Sequence, residues 1–150
     1  MNISTVQQDK NLFTDDGLQE WFLYDRLVAA YRQHKKLIIA YDLDDTVRPY
    51  YSKNCEQVKA LIRRAKFLLN PYFVVYTANP NTEKNIAFLE SENLPYDAIN
   101  QNIDIINDRF NSGKIYYNLF LDDKAGLREA YMALNKLCDY IELYRKGVRL

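Results

Sequence analysis

Apolar positions recur along this chain with two periods. Leu23, Leu27, Ala30 and Tyr31 return at helical spacing, with Trp21, Tyr24 and Val28 widening the stripe, and predict a first helix. Thr14, Asp15 and Asp16 stand ahead of it as candidate caps. The short run Leu37 to Tyr41 reads as a buried strand. Ser52 is a candidate cap for a second helix, in which Val58, Leu61, Ile62, Ala65 and Leu69 form one apolar face and Asn70-Pro71 is the stop. Tyr72 to Thr77 reads as a second buried strand, residues 81–93 as a short third helix, and Tyr96 to Asn100 as a third strand. Residues 101–113 follow neither period, and "NSG" at 111–113 signals a turn. Ile115 to Leu121 is the next strand. The last helix is the clearest, with Leu127, Tyr131, Leu134, Leu137, Cys138 and Ile141 on one face. Residues 1–13 read as a polar, poorly ordered lead-in.

Strands alternating with amphipathic helices imply parallel βαβ units and a three-layer α/β/α domain with a mainly parallel central sheet. Nothing repeats and no linker divides the chain, so residues 1–150 are expected to form one domain. The composition agrees, since 150 residues that are 48% hydrophobic suffice for one sizeable core. Twenty basic and 20 acidic side chains cancel, so no global field favours nucleic acid or an anionic membrane. No apolar run approaches the roughly 20 residues of a membrane helix, and the polar start lacks a signal-peptide core. Cys55 and Cys138 are far apart without metal-type spacing, which favours a reduced, cytoplasmic setting and a role as buried hydrophobes. His34, the single histidine, is expected at the surface near the end of the first helix. The 13 tyrosines find no functional explanation beyond packing.

The chemistry gathers where strands end. Asp42, Asp44, Asp45 and Thr46 follow the first strand, Thr77 and Asn79 the second, and Asp122 and Asp123 the strand ending at Leu121. In an open parallel sheet, ligands bind beyond the carboxyl ends of the strands, where the strand order reverses. With the first strand central, these clusters share one crevice. Several carboxylates crowded there repel one another, and a hard cation such as Mg²⁺ would offset the repulsion and allow a phosphate to approach. The bland alternatives are a solvated acidic loop at Asp42 and Asp44, a hydroxyl at Thr77 that satisfies backbone, and a helix start at Asp122-Asp123.

These residues resemble the motifs of the haloacid dehalogenase superfamily of phosphohydrolases. "YDLDDTV" is similar to its first motif, "FVVYT" to its second, and "YYNLFLDD" to its fourth, with Lys114 as the lysine of the third. The order is the family's, and the likeness spans about residues 37 to 125. The resemblance implies a Mg²⁺-dependent phosphomonoester hydrolase. Asp42 would be the nucleophile that forms an aspartyl-phosphate, and Asp44 the general acid and then base. Thr77 and Lys114 would bind the phosphoryl group. The metal would be held by Asp42, the backbone carbonyl of Asp44, and Asp122, with Asp123 assisting. Lys124 competes with Lys114 for the lysine role. Asp45 has no catalytic task and is expected to be the most replaceable aspartate. Neither the gap after Thr46 nor that between Thr77 and Lys114 holds an inserted domain, which resembles the uncapped type. Its open cleft admits a small phosphorylated molecule or a macromolecular end, in a monomer or a homodimer. Arg48, in the flap after the first motif, is a candidate substrate contact, as are Tyr50 and Tyr51. Two other readings use the same residues: a receiver-like phospho-acceptor domain, and a catalytically silent binding protein of the same fold.

Overall fold

The computed structural model describes residues 21–107 and 113–147. The expected lead-in, the caps Thr14 to Asp16, the side chain of Trp21, and Asn111 and Ser112 of the expected turn lie outside those residues. In chain order the elements are α1 (Trp21–His34), β1 (Ile38–Tyr41), α2 (Cys55–Leu69), β2 (Tyr72–Val75), α3 (Thr82–Ser91), β3 (Ala98–Ile99), α4 (Asp104–Asn107), β4 (Leu119–Leu121) and α5 (Leu127–Arg145).

The strands form one parallel sheet in the order β3-β2-β1-β4. Ile39 pairs with Phe73 on one side and with Leu119 on the other, so β1 is flanked along its length. All four residues of β1 are buried. A strand covered on both faces gains nothing from polar alternation, which is why it reads as a continuous apolar run. Side chains nevertheless sort by parity. Ile39, Tyr41, Phe73, Val75, Leu119 and Leu121 join the main core with apolar residues of α1, α2, α3 and α5. Ile38, Ala40, Val74 and Ala98 face the other way and meet Ile103 and Ile106.

Crossover handedness accounts for this division. The steps β1 to β2 and β2 to β3 run in one direction, so right-handed connections place α2 and α3 on the same face. The step from β3 to β4 returns across the sheet and places α4 on the opposite face. Helices α1 and α2 both pack against α5, completing the thick layer. The described residues are therefore a mixed α/β fold with a four-stranded, all-parallel sheet and five helices, consistent with three layers.

The expected second helix has its apolar face where the sequence places it, with Val58, Leu61, Ile62, Ala65 and Leu69 all buried. Asn70 ends it in the left-handed region, at φ 46°. The start differs: Asn54 rather than Ser52 precedes the first turn, and Ser52 Oγ accepts from Asn54 N at 3.2 Å. The strands are shorter than their apolar runs, most clearly β4, which begins at Leu119 instead of Ile115. Residues 101–113, which fit neither period, contribute the four-residue α4. Cys55 and Cys138 are buried and free, as expected of small hydrophobes, and burial pushes the Cys138 thiol up to about 11. His34 is exposed at the end of α1. No described helix is long and apolar enough to cross a membrane.

Candidate functional site

The strand order reverses at β1, since β2 lies on one side and β4 on the other. Ladder bonds run one residue past the strand ends: Asp42 N donates to Leu121 O at 2.9 Å and Tyr76 N to Tyr41 O at 3.0 Å. Asp42 thus rises at the carboxyl edge of the sheet beside Asp122 and Tyr76. The chain then turns sharply. Thr46 N, Val47 N and Arg48 N all donate to Leu43 O, and fully buried Leu43 and Val47 anchor the turn in the core. Around these anchors Asp42 and Asp44 both line a cavity of about 440 Å³, together with Asp45, Thr77, Asp122, Asp123 and Lys124. A larger cavity of about 520 Å³ lies between α2 and α5, but Asn54, Gln57, Val58, Leu127, Arg128 and Tyr131 line it and supply no carboxylate. The carboxylates belong to the smaller, acidic cavity.

Carboxylate oxygens of Asp42, Asp122 and Asp123 lie within 4.8 Å of one another, a grouping that could hold a metal ion. Burial pushes the Asp42 carboxyl up to about 6. The Leu43 backbone N–H pulls the other way, Asp122 and Asp123 add to the rise, and a hydrogen bond from Thr77 opposes it. Asp123 is also raised, by burial and then by its hydrogen bond and charge contact with Asp122. Hard oxygen donors at this spacing, with a carboxyl that resists ionising beside its neighbours, fit a divalent cation such as Mg²⁺.

Thr77 is 7% exposed and is fixed through backbone as well as side chain. Its N–H donates to Asn100 Oδ1 at 2.8 Å, and its Oγ1 accepts from Asn79 N at 3.2 Å. Asp44 Oδ1 accepts from Arg48 Nε at 2.7 Å. Arg48 also donates to Asn85 Oδ1 at 3.1 Å, and its guanidinium lies 5.2 Å from the Phe88 ring centroid. Arg48 is therefore engaged with Asp44 and α3, on a side chain only 16% exposed. Lys124 is the lysine among the cavity's lining residues. Lys114 is exposed, and its carbonyl accepts from Asn102 Nδ2 at 2.9 Å.

Sequence reasoning leaves three contributors unassigned. Thr46, fully buried, bridges the two acidic loops: its Oγ1 accepts from Asp123 N at 3.1 Å. The motif "DLDDTV" contains it, so a signal existed. Asn85 and Asn100 hold Arg48 and Thr77 from α3 and from the end of β3, and no local pattern announces either. Asp45 is the fourth difference. Its Oδ1 accepts from Tyr50 N at 2.9 Å, Tyr51 N at 2.6 Å and Ser52 N at 3.0 Å, and these bonds hold its carboxyl below the usual range. The expectation that Asp45 is the most replaceable aspartate gives way to a structural role: it pins the flap.

No family model matches the chain, and no curated protein or solved structure matches it.

Proposed function

We propose that the chain is a divalent-metal-dependent phosphomonoester hydrolase of the haloacid dehalogenase type. The observation that carries this reading is the convergence of Asp42, Asp122 and Asp123 within 4.8 Å at the switch point between β1 and β4, with Asp44 in the same cavity. Asp42, Asp122 and Asp123 would hold Mg²⁺, which supplies positive charge against the carboxylates and the incoming phosphate.

The chain's own groups then have separable tasks. A carboxylate oxygen of Asp42 attacks phosphorus, and the bond from phosphorus to the ester oxygen breaks. Asp44 gives its proton to the departing alkoxide. The resulting Asp44 carboxylate takes a proton from water, which attacks the aspartyl-phosphate, releases inorganic phosphate and restores Asp42. Thr77, held by Asn100, presents hydrogen-bond capacity beside Asp42. Lys124 supplies cationic charge at the cavity wall for the phosphoryl oxygens. Arg48 fixes the direction of Asp44 through its 2.7 Å contact and acts as a positioning residue.

The strand order disfavours the receiver-like reading. Receiver-type sheets place the first strand between the second and third, in the order 2-1-3-4-5. Here β1 lies between β2 and β4. A second carboxylate near the nucleophile also suits turnover better than a lasting phospho-aspartate. The test is hydrolysis of p-nitrophenyl phosphate with Mg²⁺. Asp42→Asn is expected to abolish turnover, and Asp44→Asn to lower it by about 10²–10⁴-fold. An Asp42→Asn enzyme as fast as wild type rules out the nucleophile. A phosphorylated protein that persists for hours returns the receiver reading.

A further inference from the structure

We propose that the crevice takes a nucleoside monophosphate whose base stacks on an aromatic wall formed by Tyr76 and Phe120. The proposal rests on the phosphohydrolase reading of the acidic cluster and names its substrate class.

The wall and the acids line one cavity. Strand register explains why. Ala40 pairs with Val74 on one side and Phe120 on the other, and these side chains share the sheet face opposite the main core. One step further along the same parity come Asp42, Tyr76 and Asp122. The small Ala40 side chain between its neighbours leaves room for the Tyr76 and Phe120 rings to meet across β1, with centroids 5.6 Å apart. Tyr117 continues the wall, 5.2 Å from Phe120. Among the described residues this face is packed by Ile103 and Ile106 around the short α4. Tyr76 is 44% exposed and Tyr117 38% exposed. Aromatic area that borders an acid cluster and stays open to solvent is poorly explained by core packing.

A phosphate held at Asp42 and Thr77 would share its cavity with this wall. A planar heterocycle on that leaving group meets ring faces, an interaction every base can make. The cavity, about 440 Å³, falls within the roughly 300–1,000 Å³ range of small-molecule sites. A free nucleotide fits better than the end of a nucleic acid. The chain has zero formal net charge, Lys124 is the one cationic side chain among the cavity's lining residues, and Arg48 is turned to Asp44. The further phosphates of a polymer would meet the carboxylates of this lining, with no basic track among the described residues that line it.

The experiment uses the full chain with Mg²⁺ and compares phosphate release from uridine and adenosine 5′-monophosphates, ribose 5-phosphate and a 5′-phosphorylated hexanucleotide. Expected is a higher kcat/KM for the mononucleotides than for ribose 5-phosphate. Tyr76→Leu should lower the mononucleotide value roughly 5- to 100-fold more than the ribose 5-phosphate value, as loss of one stack predicts. Tyr76→Phe should restore it, and Phe120→Leu should repeat the selective loss from the neighbouring strand. An unchanged nucleotide-to-sugar ratio in both leucine variants overturns the wall. Preference for the hexanucleotide overturns the free nucleotide as source. Calorimetric titration of Asp42→Asn with the mononucleotides and ribose 5-phosphate separates binding from turnover. Tighter nucleotide binding by that variant, with no phosphate release by the wild-type chain, supports the wall and removes only the catalytic reading. Equal affinities overturn the wall whatever the catalytic result.

Discussion

Three aspartates within four positions have three different fates, and side-chain chemistry alone does not distinguish them. Asp42 extends the ladder of β1 and enters the acid cluster. Asp44 is turned by Arg48. Asp45 sits at φ 61°, in the left-handed region that aspartate tolerates better than most residues, and gathers three backbone N–H groups on one oxygen. That Asp42 and Asp44 share a cavity was legible because the motif is contiguous and its geometry follows from a strand end, whereas the contact of Asp44 with Arg48 was not. The role of Asp45 was not legible either, because its donors become neighbours only after the flap folds back. The roles of Asn85 and Asn100 were hidden for the same reason. Asp45→Ala removes the acceptor and adds strain at positive φ, so it is expected to lower the melting temperature and to speed proteolytic cleavage within residues 48–54. Asp45→Asn, which keeps an acceptor oxygen, should lose less on both. Thermal melts and limited proteolysis, followed by mass spectrometry, measure this. An alanine variant as resistant as wild type would return Asp45 to the status of a replaceable loop residue.

Helices were more legible than strands. The periods of α2 and α5 are long, and Asn70 stops α2 where the sequence places it, whereas a short apolar run does not say how much of it pairs. The run Ile115 to Leu121 shows the difference. Asn118 is tied to β1 twice: its N–H donates to Ile38 O at 2.8 Å, and its Oδ1 accepts from Ile38 N at 2.7 Å. Before it, Tyr116 N donates to Asn102 Oδ1 at 2.7 Å, while Asn102 Nδ2 donates to Lys114 O at 2.9 Å. A buried asparagine thus provides the backbone pairing that a sheet neighbour would otherwise give, and β4 begins only at Leu119. Asn102→Ala leaves both backbone groups without that partner and is expected to cost about 1–3 kcal/mol of stability. Urea unfolding monitored by circular dichroism measures it. A loss below about 0.5 kcal/mol would mean that water replaces the side chain at little cost.

At the scale of the whole molecule, a stable sheet carries a destabilising edge. The parallel sheet and the alternation of strands with helices were legible from periodicity. The uneven cover of the two faces by the described helices was not, because it depends on which way each crossover runs. Of the candidate site, the acidic motifs were legible and the aromatic wall was not, since Tyr76 and Phe120 become neighbours only through register across β1. The acid cluster has a consequence for folding. Asp42 titrates at about 6 in the folded chain, above its ordinary value of 3.8, so the folded state binds that proton more tightly than the unfolded state. Its contribution to stability is fully present below about pH 4 and is lost as pH rises toward and through about 6. Two units correspond to about 2.7 kcal/mol, which solvent at the open mouth of the cavity reduces to about 1–2 kcal/mol. With a chelator present at pH 7, Asp42→Asn should therefore be more stable than wild type by about that amount, and the advantage should vanish at pH 4. Mg²⁺, by binding only the folded chain, should return stability to wild type at pH 7, about 1.4 kcal/mol at ten times its dissociation constant. Asp122→Asn removes a ligand as well as a repulsive charge, so it should gain stability in chelator and respond less to Mg²⁺. Paired denaturation curves at the two pH values, with chelator and with Mg²⁺, measure all three effects. An Asp122→Asn protein that gains as much from Mg²⁺ as wild type would place the metal elsewhere.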